Sequence, residues 1–277
     1  MGRHQASHYR IILLVALLYA TPLFAQFDFP PSGGRSAAMG GASVALDDGM
    51  SAMGNIVALG EMDRALLALS VRQSVGVDGM GYATVGGVKP VGFGALAASL
   101  DYFGNSDYNE ERLSLAYAIP MGHAVSFGVA FHYLHSGTSD PYYDPLNRLT
   151  FSTALRYSPS KTLVVGFKAF NPVAIESDGN DSPRIPAVFN FGVSYWLLDD
   201  LLAVGEVEKN LYQRATLRFG LEYSVQEMFF FRVGMNTQPA IYTFGIGAKF
   251  KDFGVDLAAQ FHSALGLTPQ LSLQYKF

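Results

Sequence analysis

The chain has 277 residues, of which 49% are hydrophobic and only 15% charged, with a formal net charge of −4 and no cysteine. There is no basic field to draw a nucleic acid, so nucleic-acid binding is set aside, and no disulfide framework is available to hold a small secreted core. Past residue 25 no run approaches eighteen apolar residues, so a membrane-like composition comes without a membrane helix. A closed β-barrel resolves that mismatch, because it satisfies its backbone between strands.

Residues 1–25 read as a secretory signal peptide. Arg3 and Arg10 give a basic n-region, Ile11 to Ala20 an apolar stretch, and Leu23-Phe24-Ala25 a small-residue cleavage site before Gln26. The apolar stretch is too short to cross a bilayer of ~30 Å as a helix. Residues 26–63 differ from everything after them, being rich in Gly, Ala, Ser and Met between Gly33 and Gly60. Small residues permit close backbone approach, and this segment is expected to thread into a lumen as a plug.

From residue 64 to 277 the chain breaks into short alternating segments separated by turn residues. The expected strands lie near 64–75, 80–89, 92–103, 112–119, 124–136, 148–157, 162–172, 187–198, 201–210, 215–224, 228–236, 241–250, 253–263 and 269–277. Most have the ~9–11 residues that a tilted strand needs to cross a bilayer. Alternation is clean where Leu217, Phe219, Leu221 and Tyr223 interleave with Thr216, Arg218, Gly220 and Glu222. The fold class is therefore all-β, a 14-stranded antiparallel transmembrane β-barrel.

Turn lengths support the count. The long polar connections, Gly104 to Glu111, Gly137 to Asn147 and Glu176 to Pro186, all follow odd-numbered strands. Those after strands two, four, six and eight are short. Short turns belong to the periplasmic side of such barrels and long ones to the outside. An even count then returns both termini to the periplasm of a Gram-negative outer membrane.

The polar faces carry Arg148, Arg156, Lys168, Glu206, Arg218, Glu222, Arg232, Lys249 and Asp256. An Arg or Lys on the lipid face would cost ~2–4 kcal/mol at mid-membrane, so these residues face a lumen. A lattice of lumenal salt bridges and hydrogen bonds is expected there. In the loop Ser139 to Pro145, Tyr142 and Tyr143 stand between two prolines. They read as a stiff aromatic tip for a protein partner, or as a rim anchor at the membrane interface.

The acidic run Glu176 to Asp181 has oxygen ligands of the kind calcium takes, but lacks EF-hand spacing and is read as a solvated loop. No metal or cofactor is expected. His132 and His262 fall on polar-face positions, no Gly-x-Ser-x-Gly elbow occurs, and no Ser and His stand at a spacing that brings them together. No catalytic residue is assigned. At the end of the chain Leu271, Leu273, Tyr275 and Phe277 alternate with polar residues. Tyr275 and the terminal Phe277 read as an assembly signal for the barrel-assembly machinery, with outer-membrane lipid around the finished wall.

The stretch Arg35, Gly40, Gly41, Ala42, Val44, Ala45, Asp47, Asp48 and Asn55 resembles the N-terminal signature of the long-chain fatty-acid transporter (FadL) superfamily, above all its PorV and PorQ-type branch. The runs Arg218 to Tyr223, Arg232 to Met235 and Gly245 to Phe250 are similar to the same branch. The resemblance implies fourteen strands with a hatch formed by the N-terminal signature. It also implies two alternative jobs. Transporters of the superfamily carry small hydrophobic molecules through a hatched lumen with a side opening. The PorV and PorQ-type members serve type IX secretion or surface assembly by binding partner proteins. The signature's Asn-Pro-Ala is Asn55-Ile56-Val57 here, and the chain is short for large outer loops. Both departures favour the secretion branch as the leading expectation, with a hydrophobic-compound channel as the alternative.

Overall fold

The structure is a computed structural model and describes residues 27, 29–47, 49–73, 79–173 and 185–277. The signal-like stretch, Asp48 and the acidic run Glu176 to Asp181 lie outside the described residues.

The described residues form fourteen strands: β1 Leu66–Gln73, β2 Gly81–Val91, β3 Gly94–Gly104, β4 Tyr108–Met121, β5 Val125–Thr138, β6 Leu146–Ser160, β7 Leu163–Phe170, β8 Val188–Leu198, β9 Leu201–Asn210, β10 Thr216–Val225, β11 Phe229–Thr237, β12 Ala240–Phe250, β13 Phe253–His262 and β14 Gly266–Lys276. Each pairs antiparallel with its sequence neighbour, and β1 pairs with β14 to close the barrel. Closure leaves no free edge across the sheet.

Two strands exceed expectation. β4 begins at Tyr108 rather than near 112, and β6 spans Leu146–Ser160 rather than 148–157. The outward residues Asn109, Glu111, His135 and Asn147 are polar, so the apolar alternation stops while the ladder continues as far as Tyr108 opposite Thr138. The long connection expected after β3 is consequently a tight turn at residues 105–107.

Side chains divide as the period of two requires. Leu115, Phe131 and Leu149 point outward and are 59%, 67% and 70% exposed, while Ser114, His132 and Ser152 on the same strands are buried inward. An apolar outer belt around a closed polar-lined barrel is the surface of a membrane-spanning protein. At the end where the chain stops, Tyr275 lies between Phe253 and Phe277, with ring centroids 4.6 and 5.9 Å away. The Phe277 N–H donates to the Ala65 carbonyl at 2.9 Å, fastening the last residue to the start of β1.

The interior is filled by the N-terminal segment, which contains helices α1 Gly34–Ala38 and α2 Gly49–Gly54 and the 3-10 helix η1 Ile56–Glu61. α1 lies against β11–β14, whereas η1 lies against β3–β6. The segment runs the length of the lumen. Phe27 donates its N–H to Glu110 beside the β3–β4 turn, and the other end joins β1 near Phe277. Phe27, the first described residue, and Phe277 therefore lie at opposite ends of the lumen. Even strand parity governs the wall alone, and the segment before it crosses the lumen once more.

Candidate functional site

The lumen and the segment inside it form the site. On the β8–β14 side the contacts are polar. Glu222, 1% exposed, accepts two hydrogen bonds from Arg35 of α1, at 2.8 and 2.6 Å, and one from Arg232 of β11 at 2.5 Å. Arg232 in turn donates to Asp256 of β13 at 2.6 Å. Charges therefore alternate along a row that ties α1 to three strands. Each is desolvated, and each is stable only because its partner is present.

Beyond α1 the segment turns through Gly40 and Gly41, with φ of 72° and 84°. These angles exact little from glycine and cost a side-chain-bearing residue about 1–2 kcal/mol. A Cβ at Gly40 would also strike the carbonyls of Met235 and Phe219. The wall meets this turn with inward-facing Gly220, Gly234 and Gly245, so backbone lies against backbone. Thr243 locks the contact, donating to the Ala38 carbonyl at 2.7 Å and accepting from the Gly40 N–H at 2.9 Å.

Further along, Glu206 of β9 accepts the N–H groups of Ser43 and Val44 at 2.7 and 2.9 Å, with Arg218 and Asn190 also donating to it. Asp47 closes the series by pairing with Arg156 of β6, where one bond measures 2.8 Å. Asn55 joins the halves of the segment, its amide donating to the carbonyls of Val44 and Ser43 at 2.8 and 3.1 Å.

Around α2 and η1, on the β1–β6 side, the contacts are apolar. Met50, Ile56, Ala58 and Leu59 pack on Leu66, Ala68, Val88, Ala95, Ala118, Ala130 and Ala154. Alanines leave room on the wall for the helix, so small residues serve here as glycines do opposite. At the Phe27 end, Phe27 and Phe29 enter an apolar cluster with Leu134, Leu146, Phe170, Ile185 and Val188. Arg112, paired with Asp101 at 3.0 Å, lies under the Phe29 ring at 4.6 Å.

The residues singled out in the sequence thus separate. Arg35, Gly40, Gly41, Asp47 and Asn55 meet Arg156, Glu206, Arg218, Glu222, Arg232 and Asp256 in the lumen. Arg148 stands at the rim and donates to the Asn147 carbonyl at 2.9 Å, away from the buried row. Tyr142 and Tyr143, 93% and 68% exposed, form the tip of the β5–β6 connection.

One expectation fails: a serine and a histidine do meet. His132 accepts or donates at 2.8 Å to both Ser114 and Ser152, across three neighbouring strands. The spacing was invisible because strand register, not sequence distance, brings the three together. Both ring nitrogens are occupied by hydroxyls, and the adjoining cavity of about 20 Å³ has room for a water but not a substrate. The contact residues missed altogether were Thr243, Ser194 and the inward glycines. The glycines at polar positions of β10, β11 and β12 were the available signal.

β1 pairs with β14 from Leu66 opposite Lys276 to Arg72 opposite Gln270. Inside the barrel at β1, β2 and β14 a cavity of about 10 Å³ is lined by Phe29, Pro30, Pro31, Arg72, Tyr82 and Gln270.

Three comparisons with known proteins bear on the fold. No family model and no curated protein matches the chain. Among solved structures it is similar to the Ralstonia pickettii toluene transporter TbuX, at 14% identity over 91% of this chain and 100% of that one, with a TM-score of 0.68. A Pseudomonas aeruginosa FadL homologue gives 13% identity over 91% and 100%, with a TM-score of 0.66. The P. putida toluene transporter TodX gives 12% over 90% and 99%, with a TM-score of 0.65. At such identities the likeness establishes a shared fold, a closed barrel of the FadL type.

Proposed function

We propose that this chain is an integral outer-membrane channel for small hydrophobic compounds, gated by its own N-terminal segment. One observation carries the reading. The end of the lumen nearest Tyr142 and Tyr143 holds an apolar cluster, and the segment fills it with Phe27 and Phe29. An apolar compound entering there would compete with those two rings for the same surface. Solved structures named as toluene transporters share the fold, which supports hydrophobic cargo. On this reading Phe277 faces the periplasm and the Phe27 end the outside, an orientation that the turn lengths support.

The PorV and PorQ-like reading, in which the barrel binds secretion or surface proteins, now stands second. It draws on the exposed tip at Tyr142 and Tyr143.

The test uses the absence of cysteine. A Cβ at Gly60 would lie 3.2 Å from the Ser126 Cβ, close enough for a disulfide to form after a shift of a few tenths of an ångström. Uptake of labelled toluene and oleate would be measured in cells carrying the Gly60→Cys, Ser126→Cys protein. Under oxidation uptake should fall to the level of cells without the protein, and reductant should restore it. Uptake that ignores the cross-link sinks the gate. Absent uptake together with stoichiometric co-purification of a surface protein, lost in Tyr142→Ala, would establish the second reading.

A further inference from the structure

At the Phe277 end of the lumen, between the segment and the inner wall of β6–β9, lies a cavity of about 420 Å³. It opens beside the β4–β5 and β6–β7 turns, where His123 and Lys161 are exposed. One part of its lining is apolar: Val164 and Leu202 stand there with Trp196, which packs against Met39 and Leu46. The polar part is nearly all donor. Arg156, 6% exposed, is fixed by its Nε on the Ser158 hydroxyl at 3.0 Å. Lys161, His123 and the Trp196 indole line the same space, and none of these three side chains bonds to a described residue. Among the described residues around the cavity, the one carboxylate is Asp47, which Arg156 engages at 2.8 Å. Arg35, also at its edge, is held by Glu222. Donors therefore outnumber acceptors, and the charge of Lys161 is unmatched among the described residues.

We infer that this cavity binds an organic carboxylate with a small apolar body. A concave site of ~300–1,000 Å³ that joins an apolar lining to a few convergent polar groups is the usual form of a small-molecule site. The carboxylate accepts from Arg156 and Lys161, because a guanidinium can present two parallel N–H groups to one carboxylate. The body lies on Trp196, Val164 and Leu202 and takes their apolar surface out of water. A cation is disfavoured by the excess positive charge. A neutral hydrocarbon displaces water from the donors and offers no acceptor in return. Asp47 and the ligand compete for one guanidinium, and Asp47 is 47% exposed, so its release costs little. The cavity lies at the other end of the lumen from Phe27 and Phe29, and the inference stands whether or not the barrel carries hydrophobic cargo.

Trp196 is the single tryptophan of the chain, so its fluorescence reports on this cavity. The full chain is studied in an uncharged detergent at constant ionic strength. Relative to their action on free tryptophan amide, iodide should quench Trp196 about threefold more efficiently than caesium. Benzoate should protect Trp196 from iodide along a saturable curve, whereas benzamide and benzylammonium, of nearly the same size, should not. Lys161→Gln, at an exposed turn, and Arg156→Gln should each weaken benzoate binding about tenfold, and Asp47→Asn should strengthen it by about as much. Gel migration before and after heating verifies that each variant is folded. Absence of protection by benzoate overturns the inference. Equal protection by benzamide does so as well, since the cavity would then read only the apolar body. Benzoate binding that ignores both Lys161→Gln and Asp47→Asn overturns it too, because no charge would be recognised there.

Discussion

The two sides of the lumen hold the same segment by different physics. Toward β8–β14 the segment is fixed by charge pairs, by N–H groups on Glu206 and by glycine-to-glycine backbone contact. Toward β1–β6 it is held by Leu59, Ile56 and Met50 against a wall of alanines. A polar latch is directional and fails when one partner goes, because the other is left charged and dry. An apolar face is non-directional and weakens in proportion to the atoms removed. The contrast assigns the register of the segment to the first side and much of its cohesion to the second.

Glu222→Gln should have the largest effect. It leaves the Arg35 and Arg232 guanidiniums facing one another with a neutral amide between them, and losing one partner of a buried pair costs about 3–5 kcal/mol. The loss falls where α1 is tied to the wall. Ion conductance in planar bilayers should therefore rise, and the segment should become open to protease, at temperatures where the barrel still migrates as folded. Unchanged conductance would mean that the row is not the latch.

Leu59→Ala should be comparable or smaller in energy and different in kind. Leu59 is fully buried, and truncation of such a residue costs about 2–5 kcal/mol. The void left among alanines is apolar and stays dry. The temperature at which the folded gel band is lost should drop, while conductance before that point stays at the unaltered level. A leak equal to that of Glu222→Gln would erase the distinction between the two sides.

The wall was legible because lipid enforces its code. Every lipid-facing position must be apolar, so Leu217, Phe219, Leu221 and Tyr223 announce both strand and face. The code lapses where strands leave the hydrocarbon, and β4 and β6 were read short at Asn109, Glu111 and Asn147 for that reason. The lumen has no such code. Glu222 was legible as lumenal from its face, but its pairing with Arg35, 187 residues away, depends on how the segment threads the barrel. The meeting of Ser114, His132 and Ser152 depends likewise on register across β4, β5 and β6. Composition foretold that residues 26–63 would approach a backbone closely, and Gly40 against Gly234 is that approach. It did not foretell that the segment crosses the lumen end to end, because small residues carry no direction.

The smallest effect is expected at Asp47, whose partner Arg156 lies on β6, and it separates latch from decoration within the charged series itself. Its carboxylate pairs with Arg156, as Glu222 does with Arg35, but Asp47 is 47% exposed where Glu222 is 1%. Water and salt screen such a pair, so Asp47→Asn should cost no more than about 1 kcal/mol. Arg156 keeps its hydrogen bond to Ser158 at 3.0 Å, which leaves its charge less stranded than that of Arg232 would be. Conductance and thermal migration of Asp47→Asn should therefore stay close to the unaltered protein, and the small remaining loss should vanish in 1 M salt, where the screening length is about 3 Å. If Asp47→Asn instead opens the lumen as fully as Glu222→Gln, desolvation is not what makes the row hold. The latch would then be the whole line of charges from Arg35 to Arg156, exposed and buried alike.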